Sequence, residues 1–339
     1  WTSYIAYRWN HNSSMSKLIR VSGKYGKYFH YLGNFLLDKE GLYSSKDTKQ
    51  LITRIKEIKP DVIHLHNIHD HWLNYRLLFE YLNQTDIKVV WTFHDCWPFT
   101  GHCFHFVTKN CERWKTQCHD CPLQHEYPKT LVDRSTKNFE LKKKLFGGSK
   151  NLSVVACSEW IGNFVKDSFL KDKSLTIIHN GVDLKVFRPT LPKKSFEDGK
   201  FRILAVSNVW NKEKGLYDIY KLRDGLSDDY QITIVGLSQK QVRILPQGII
   251  GIQRTQNVQE LVNLYSESDV LINPTYADTF PTVNLEALAC GTPIITYCTG
   301  GSPEAIDEKT GVVVEQGNVK ELIEAMLKMK EKTLLAVDC

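Results

Sequence analysis

The chain has 339 residues, 42% of them hydrophobic and 24% charged, and a net charge of +6; these are the proportions of a folded protein with room for two domains of ordinary size. No apolar run reaches the ~18 to 20 residues that a membrane span needs, and Trp1 opens directly into the strand-like SYIAYRW with no charged flank or leader-like apolar stretch. Charge is shared unevenly: residues 1–200 carry 31 Lys and Arg against 20 Asp and Glu, a net +11, and residues 201–339 carry 13 against 18, a net −5. Phosphates, a nucleic acid or an anionic membrane are the partners open to the basic half, but its basic residues lack the aromatic interleaving of a nucleic-acid module, so no nucleic-acid partner is expected.

In chain order, the helical pattern TKQLITRIKEIKP leads to a β-branched run, DVIHLHN, and WLNYRLLFEYL leads to KVVWTFHD. An irregular, Cys-rich insertion follows at about 96–130, then the basic amphipathic pattern RSTKNFELKKKLF at 134–146, then the strands LSVVACS and LTIIHNG. In 134–146, Lys137, Lys142, Lys143 and Lys144 stand beside Phe139, Leu141, Leu145 and Phe146, a composition that suits either a membrane-surface helix or an ordinary solvated one. The Pro-, Lys- and Gly-rich stretch 183–199 reads as a linker. Beyond it come the strands FRILAVSNV, YQITIVGL, GIIGIQR, VLINPT, TPIITYCT and GVVVEQ, alternating with GLYDIYKLRDGL, NVQELVNLYSESD, TVNLEALAC and VKELIEAMLKMKEK as helices. Strand–helix alternation of this kind predicts α/β domains with parallel sheets. Two doubly wound Rossmann-like domains are expected, 1–182 and 200–339, with ligands at the carboxyl ends of the strands.

The candidate chemistry lies on those strand ends. In DTFPTVNLEALACGTP, the helix opening at Thr282 and Val283 leaves backbone N–H groups without intrahelical acceptors, and these form an anion seat. Pro281 fits just before it, where a missing N–H costs nothing. Asp278 and Glu286 flank the seat and can accept hydrogen bonds from sugar hydroxyls, so the arrangement suits a nucleotide sugar better than a bare nucleotide. Lys214, in NKEKG, can neutralise a leaving diphosphate. Gly236 ends a strand and permits close backbone approach; Arg254 and Thr255 end the next. His94 closes KVVWTFHD, where it can hydrogen-bond a substrate or shuttle a proton. Each also has a plain structural reading, as a cap, a solvated Lys, a turn Gly or a satisfied His. His64, His66, His69 and His71 show no convergent third ligand, so no metal is expected there. Cys103, Cys111, Cys118 and Cys121, the last two in a C-x2-C pair, read as a structural zinc set or as unligated thiols, with His102, His105 or His119 able to replace a cysteine. Cys96, Cys157, Cys290 and Cys298 are expected to be packing residues.

The segment NPTYADTFPTVNLEALACGTPIITYCTGGSPEAI resembles the Glu-x7-Glu region of family 4 glycosyltransferases of the GT-B fold, in which two Rossmann-like domains face each other across a cleft. IHNGVDLKVFRP is similar to that family's interdomain crossing segment, NKEKG to its basic loop, and TFHDCWPFTGHC to its first-domain histidine loop. The likeness is closest to bacterial transferases of capsule, exopolysaccharide or O-antigen assembly. It implies a retaining transfer from a nucleotide sugar, expected to be a UDP- or GDP-sugar, to a hydroxyl of a glycan or lipid-linked glycan. Site, donor and acceptor would then be cytoplasmic, at the inner face of the plasma membrane.

The resemblance also assigns roles. Glu286 would hold the donor ribose, Asp278 the transferred sugar, Phe280, Pro281, Thr282 and Val283 the diphosphate seat, and Lys214 and His94 would be catalytic with Asp278. Gly236 would border the nucleobase, and Arg254 and Thr255 would touch base or phosphate. Asp278 stands where the family usually has Glu. Asn208 stands where it commonly has Arg, so Lys212 or Arg254 would supply the second positive charge. The sequence holds no Asp-x-Asp pair, and no cofactor is expected for catalysis. Compared with the family, the chain reads as lacking a first strand with its Gly-rich loop and a closing helix, as a fragment would. A non-catalytic nucleotide-sugar-binding protein and a sugar-nucleotide epimerase on the same fold are the competing functions.

Overall fold

The computed structural model describes residues 1–8, 14–21, 26–190 and 196–331. The expected linker therefore falls in part, at 191–195, outside the described residues. The chain separates into two compact units, Trp1–Ile178 and His179–Cys339.

The first unit contains β1 (Tyr4–Tyr7), β2 (Lys17–Arg20), α1 (Gly26–Leu37), α2 (Ser45–Ile58), β3 (Val62–Leu65), α3 (Tyr75–Leu82), β4 (Lys88–Phe93), α4 (Ser135–Lys142), β5 (Leu152–Ala156), α5 (Glu159–Asp167) and β6 (Ser174–Ile177). Strands β3 to β6 form a four-stranded parallel sheet in sequence order, while β1 and β2 pair with each other in parallel. Val89, Trp91, Phe93, Leu152, Val154 and Ala156 are buried, so the central strands carry apolar side chains as a covered parallel sheet requires. An aromatic cluster anchors the core. Phe146 packs within 5.4 Å of the rings of Tyr75, Phe79 and Trp91, and offset or edge-on pairs of this kind add to the burial of their area.

This cluster overturns the membrane reading of 134–146. The segment is α4 followed by a turn of π-helix at Lys143–Gly147, and Phe139, Leu145 and Phe146 are buried in the unit. Even Lys142 is buried, its Nζ donating to the carbonyls of Trp97 at 2.7 Å and Thr100 at 3.0 Å while lying over the Trp97 ring. Burial lowers its pKa to about 7. A basic amphipathic pattern does not distinguish an apolar stripe facing lipid from one facing a neighbouring strand.

The second unit contains β7 (Phe201–Val206), α6 (Leu216–Asp224), β8 (Tyr230–Val235), α7 (Gln239–Arg243), β9 (Ile249–Ile252), α8 (Val258–Glu267), β10 (Val270–Asn273), α9 (Thr282–Ala289), β11 (Ile294–Tyr297), β12 (Gly311–Val314) and α10 (Val319–Glu331). Its sheet is parallel throughout, in the order β12-β11-β10-β7-β8-β9. Alternation along each strand feeds two separate cores: Ile203, Ala205, Ile232 and Ile272 pack on one face with Leu222 of α6 and Leu322 of α10, and Leu204, Leu271 and Ile294 pack on the other with Val262 of α8 and Ala287 of α9. Of the cysteines expected to pack, Cys96, Cys157 and Cys290 are buried; Cys298 is exposed, because it lies just beyond the end of β11.

Candidate functional site

The sheet order of the second unit turns at β7 and β10. From β7 the chain winds outward through β8 and β9, then returns to lay β10 against the other side of β7, with Leu271 beside Leu204. At such a reversal the loops leaving the two neighbouring strands diverge and leave a crevice. The loop after β7 carries Lys214, and the loop after β10 carries Asp278.

The two loops are laced together. Tyr276 N–H donates to Glu213 C=O at 2.7 Å, and Lys214 Nζ reaches Asp278 Oδ2 at 2.7 Å, with the two side chains 32% and 23% exposed. The tyrosine's hydroxyl is held as well: the Asp218 carboxylate accepts from Tyr276 Oη at 2.6 Å and from Tyr297 Oη at 2.9 Å. Two glycines make these approaches feasible. Gly215 has φ +72°, and a Cβ there would lie 2.1 Å from Pro274 O; Gly300 has φ +57°, and a Cβ there would lie 1.7 Å from Asp278 O. Any side chain at Gly300 would displace the loop that carries Asp278.

Helix α9 begins at Thr282 with Pro281 as its cap residue and no side-chain cap. The first backbone bond of the turn comes from Asn284 N–H, to Pro281 C=O at 3.3 Å. Thr282 is exposed and Val283 half-buried, so the terminus is not plugged by its own unit, as an anion seat requires. Phe280, just upstream, is buried. The imidazole of His179 stacks on its ring at 4.6 Å with the planes 7° apart, Asn180 Nδ2 donates to its carbonyl at 3.2 Å, and His179 Nε2 lies 3.0 Å from Glu304 Oε2. His179 and Asn180, placed with the first domain on sequence, thus brace the site loop of the second.

Glu286 stands one turn into α9. Its Oε2 accepts from the Tyr265 hydroxyl at 2.8 Å, and the Thr282 hydroxyl bonds the same carboxylate. Burial pushes the Glu286 carboxyl above its ordinary value, against the hydroxyls of Tyr265 and Thr282, which pull it down. The remaining candidates lie across the sheet. Gly236 follows β8 with φ +97° and meets the carbonyl of Ser207, next to exposed Asn208. Exposed Arg254 and half-buried Thr255 follow β9, the edge strand, and Lys212 is exposed.

In the first unit, His94 at the end of β4 is half-buried, and its Nε2 lies 3.0 Å from His66 Nδ1. The rings of His64 and His66 are 4.3 Å apart. Burial, then His64 and His94, lower the His66 pKa to about 4; burial likewise lowers that of His94, opposed by Asp95. Both imidazoles are therefore neutral near pH 7 and share one proton across a hydrogen bond. Beneath them, Asp95 binds His69 Nε2 at 2.8 Å and Trp97 N–H at 2.8 Å, which sets the turn on which His94 sits.

Lys214, Asp278 and His94 stand just beyond strand ends and Glu286 in the helix after β10, the positions expected from the sequence. Sequence reasoning missed Tyr265, His179, Gly300 and the pairing of His66 with His94. The i, i+2 spacing of His64 and His66 was a usable signal. A buried tyrosine needs a hydroxyl partner, but nothing local pointed Tyr265 at Glu286. Cys103, Cys111, Cys118 and Cys121 are all free thiols and line one cavity, though among the described residues no three potential ligand atoms there lie within 4.8 Å of one another.

Comparison with known proteins bears on the family and the fold. Residues 25–186 match the family model described as Glycosyltransferase Family 4, and residues 200–332 the one described as Glycosyl transferases group 1. The chain is 26% identical over 278 residues to a protein named as a colanic acid biosynthesis glycosyl transferase, WcaC, of Escherichia coli, covering 78% of this chain and 66% of that protein. Over 155 residues it is 32% identical to a D-inositol 3-phosphate glycosyltransferase of an Arthrobacter species, covering 40% of this chain and 37% of the relative. It thus spans just under two thirds of the first relative and little more than a third of the second. Among solved structures, a sucrose-phosphate synthase from Thermosynechococcus elongatus aligns with a TM-score of 0.71 at 16% identity, over 97% of this chain and 78% of that one. WaaG, a glycosyltransferase involved in lipopolysaccharide biosynthesis, aligns at 0.64 and 13%, over 99% and 85%. HepE of Anabaena, solved in complex with UDP, aligns at 0.60 and 13%, over 95% and 79%. At these identities the structural matches speak for the fold.

Proposed function

Because this chain belongs to the family 4 glycosyltransferases of the GT-B fold, we propose that it transfers a glycosyl group, with retention, from a nucleotide sugar to a hydroxyl of a glycan or lipid-linked glycan in bacterial surface polysaccharide assembly. The observation that carries the reading is the Lys214–Asp278 pair at the sheet reversal, beside the uncapped start of α9 and Glu286. The donor's diphosphate takes the amides of Thr282 and Val283, and the Glu286 carboxylate takes a ribose hydroxyl. Lys214 then leaves Asp278 for the phosphate, which frees the carboxylate to accept from the sugar. One event thus arms both groups, and Lys214 with the helix terminus stabilises the diphosphate as it departs. With no Asp-x-Asp pair in the sequence, the diphosphate charge is assigned to these groups and not to a divalent ion. The His94–His66 pair of the first unit is assigned a role as hydrogen-bond donor and acceptor toward a hydroxyl of the acceptor. UDP is the first donor nucleotide to test, since HepE was solved with it.

For the partner surface we assign contact with an anionic membrane at the inner face to α1. No helix among the described residues is long and apolar enough to cross a membrane. Instead α1 exposes Tyr28, Phe29, Tyr31, Leu32, Leu36 and Leu37 and contains no acidic residue, the composition of a helix lying in a lipid interface.

Thermal-shift titration with UDP, GDP, ADP and their sugars tests the site. A nucleotide present at ~100 times its Kd stabilises by ~2.7 kcal/mol; Glu286→Ala abolishes the shift, and an intact shift in that variant sinks the assignment. Transfer to an acceptor distinguishes a transferase from a protein that only binds the donor, and conversion of donor without an acceptor identifies an epimerase.

A further inference from the structure

The Cys-rich segment between β4 and α4 has no part in the proposed transfer. Across residues 101–134 the only regular structure is two single turns of 3-10 helix, Val107–Lys109 and Arg113–Lys115, and a stretch of this length without strands or helices of its own calls for another source of order. Cys103, Cys111, Cys118 and Cys121 arrive from different turns of this segment and line a single cavity of about 10 Å³, roughly the room one water or one ion fills. His102 lines the same cavity. Its Nδ1 is 2.7 Å from Asp38 Oδ1, it is 3% exposed, and its Nε2 is buried with no hydrogen-bond partner. A carboxylate on one ring nitrogen and a bare lone pair on the other is the arrangement of a metal-ligating histidine with its orienting acid.

The sulfurs are prepared in the same sense. Cys118 Sγ accepts from Gly101 N–H at 3.3 Å, and Cys121 Sγ from the backbone of Leu123. Arg113 donates to the carbonyls of His119 and Asp120, and Asp133 accepts from Cys121 N–H at 2.6 Å, so the turn between Cys118 and Cys121 is held from both sides. Arg113 also lines the cavity and brings a positive charge to the thiolates.

We propose that this cavity is a structural zinc site, in which Cys118 and Cys121 of the C-x2-C turn bind the ion and His102 Nε2, with one of Cys103 and Cys111, completes its four-coordinate shell. The donors ring the cavity loosely, with no three within 4.8 Å, whereas Zn–S bonds of ~2.3 Å bring tetrahedral sulfurs to within about 4 Å. Binding therefore draws the cysteines inward by side-chain rotation and cross-links the segment. Among the described residues, the one set of ligand atoms that does lie this close, His30, Glu40 and His71, is a poorer site: His30 Nε2 already accepts from Gly41 N–H at 3.0 Å, and His71 Nδ1 stands 2.7 Å from Glu40.

Elemental analysis of the full chain purified without chelator should find about one zinc per molecule, as a four-ligand site implies. Cobalt exchanged into the wild-type protein should show thiolate-to-metal charge-transfer absorption, a readout that needs no variant. Cys118→Ser with Cys121→Ser should abolish both signals, His102→Gln should weaken metal retention at least tenfold, and His30→Gln with His71→Gln should leave the metal in place. Metal-free protein that takes up no cobalt, or metal retained after loss of Cys118 and Cys121, overturns the proposal; so does loss of metal on changing His30 and His71.

Discussion

At Lys214 a single ammonium faces two claims, the Asp278 carboxylate it touches in the free protein and the phosphate it is proposed to meet. A partly exposed ion pair is worth about 0.2–1 kcal/mol. Asp278→Asn should therefore tighten binding of the nucleoside diphosphate alone, by about 1.5- to 5-fold by that energy, while lowering sugar transfer. Calorimetric titration of UDP checks the first half, and weaker UDP binding in this variant would contradict the exchange mechanism. Tyr265→Phe removes the hydroxyl that fixes Glu286 and should weaken donor binding less than Glu286→Ala does. The histidines carry the pH response. Burial lowers the pKa of His30 from 6.5 to about 4, and that of His66 to about 4. Between those values the unfolded chain binds more protons than the folded one, so stability falls as the pH drops from 6.5 toward 4. Urea unfolding midpoints across this window should show the fall, and His30→Gln should shrink its slope. A midpoint independent of pH there would show that these histidines are not neutral in the fold.

Among the elements, α4 leaves the membrane reading its sequence allowed, and α1 is the helix proposed for that contact. The lysine-rich α4 turns its apolar side chains inward and spends Lys142 on the carbonyls of Trp97 and Thr100, which fixes the turn that follows His94 and Asp95. Lys142→Met takes the ammonium donor from two carbonyls, of which that of Trp97 keeps the Thr100 N–H, and should cost about 2 kcal/mol, read as a lower urea midpoint. The apolar side chains of α1 are exposed instead. Phe29→Asp with Leu32→Asp should abolish flotation with vesicles containing anionic lipid and leave the UDP-induced thermal shift unchanged; flotation that survives the change removes α1 from the membrane assignment. Composition alone could not separate the two helices, because amphipathicity states that a stripe will be covered and not by what.

For the molecule as a whole, the division after Ile178 gives each unit its own sheet and its own core. Two unfolding transitions are expected in calorimetry, since two-state behaviour belongs to single domains, and UDP should raise the one belonging to the second unit, where all its proposed contacts lie. A shift of the other transition alone would misplace the nucleotide. The sequence by itself determined the α/β class, the strands β3 to β12, most of the helices and the strand ends near which Lys214, Asp278 and His94 stand, because two-residue and 3.6-residue periods and helix-start chemistry are local properties of the backbone. Only the tertiary structure decided the partnerships: Lys214 with Asp278 across 64 positions, Tyr265 with Glu286 across 21 and His66 with His94 across 28. The first of these depends on β10 returning to lie beside β7, the third on β4 lying against β3, and the second on α8 and α9 sharing one face of the sheet. Such neighbours are set by the packing of whole layers, which no short window of residues encodes.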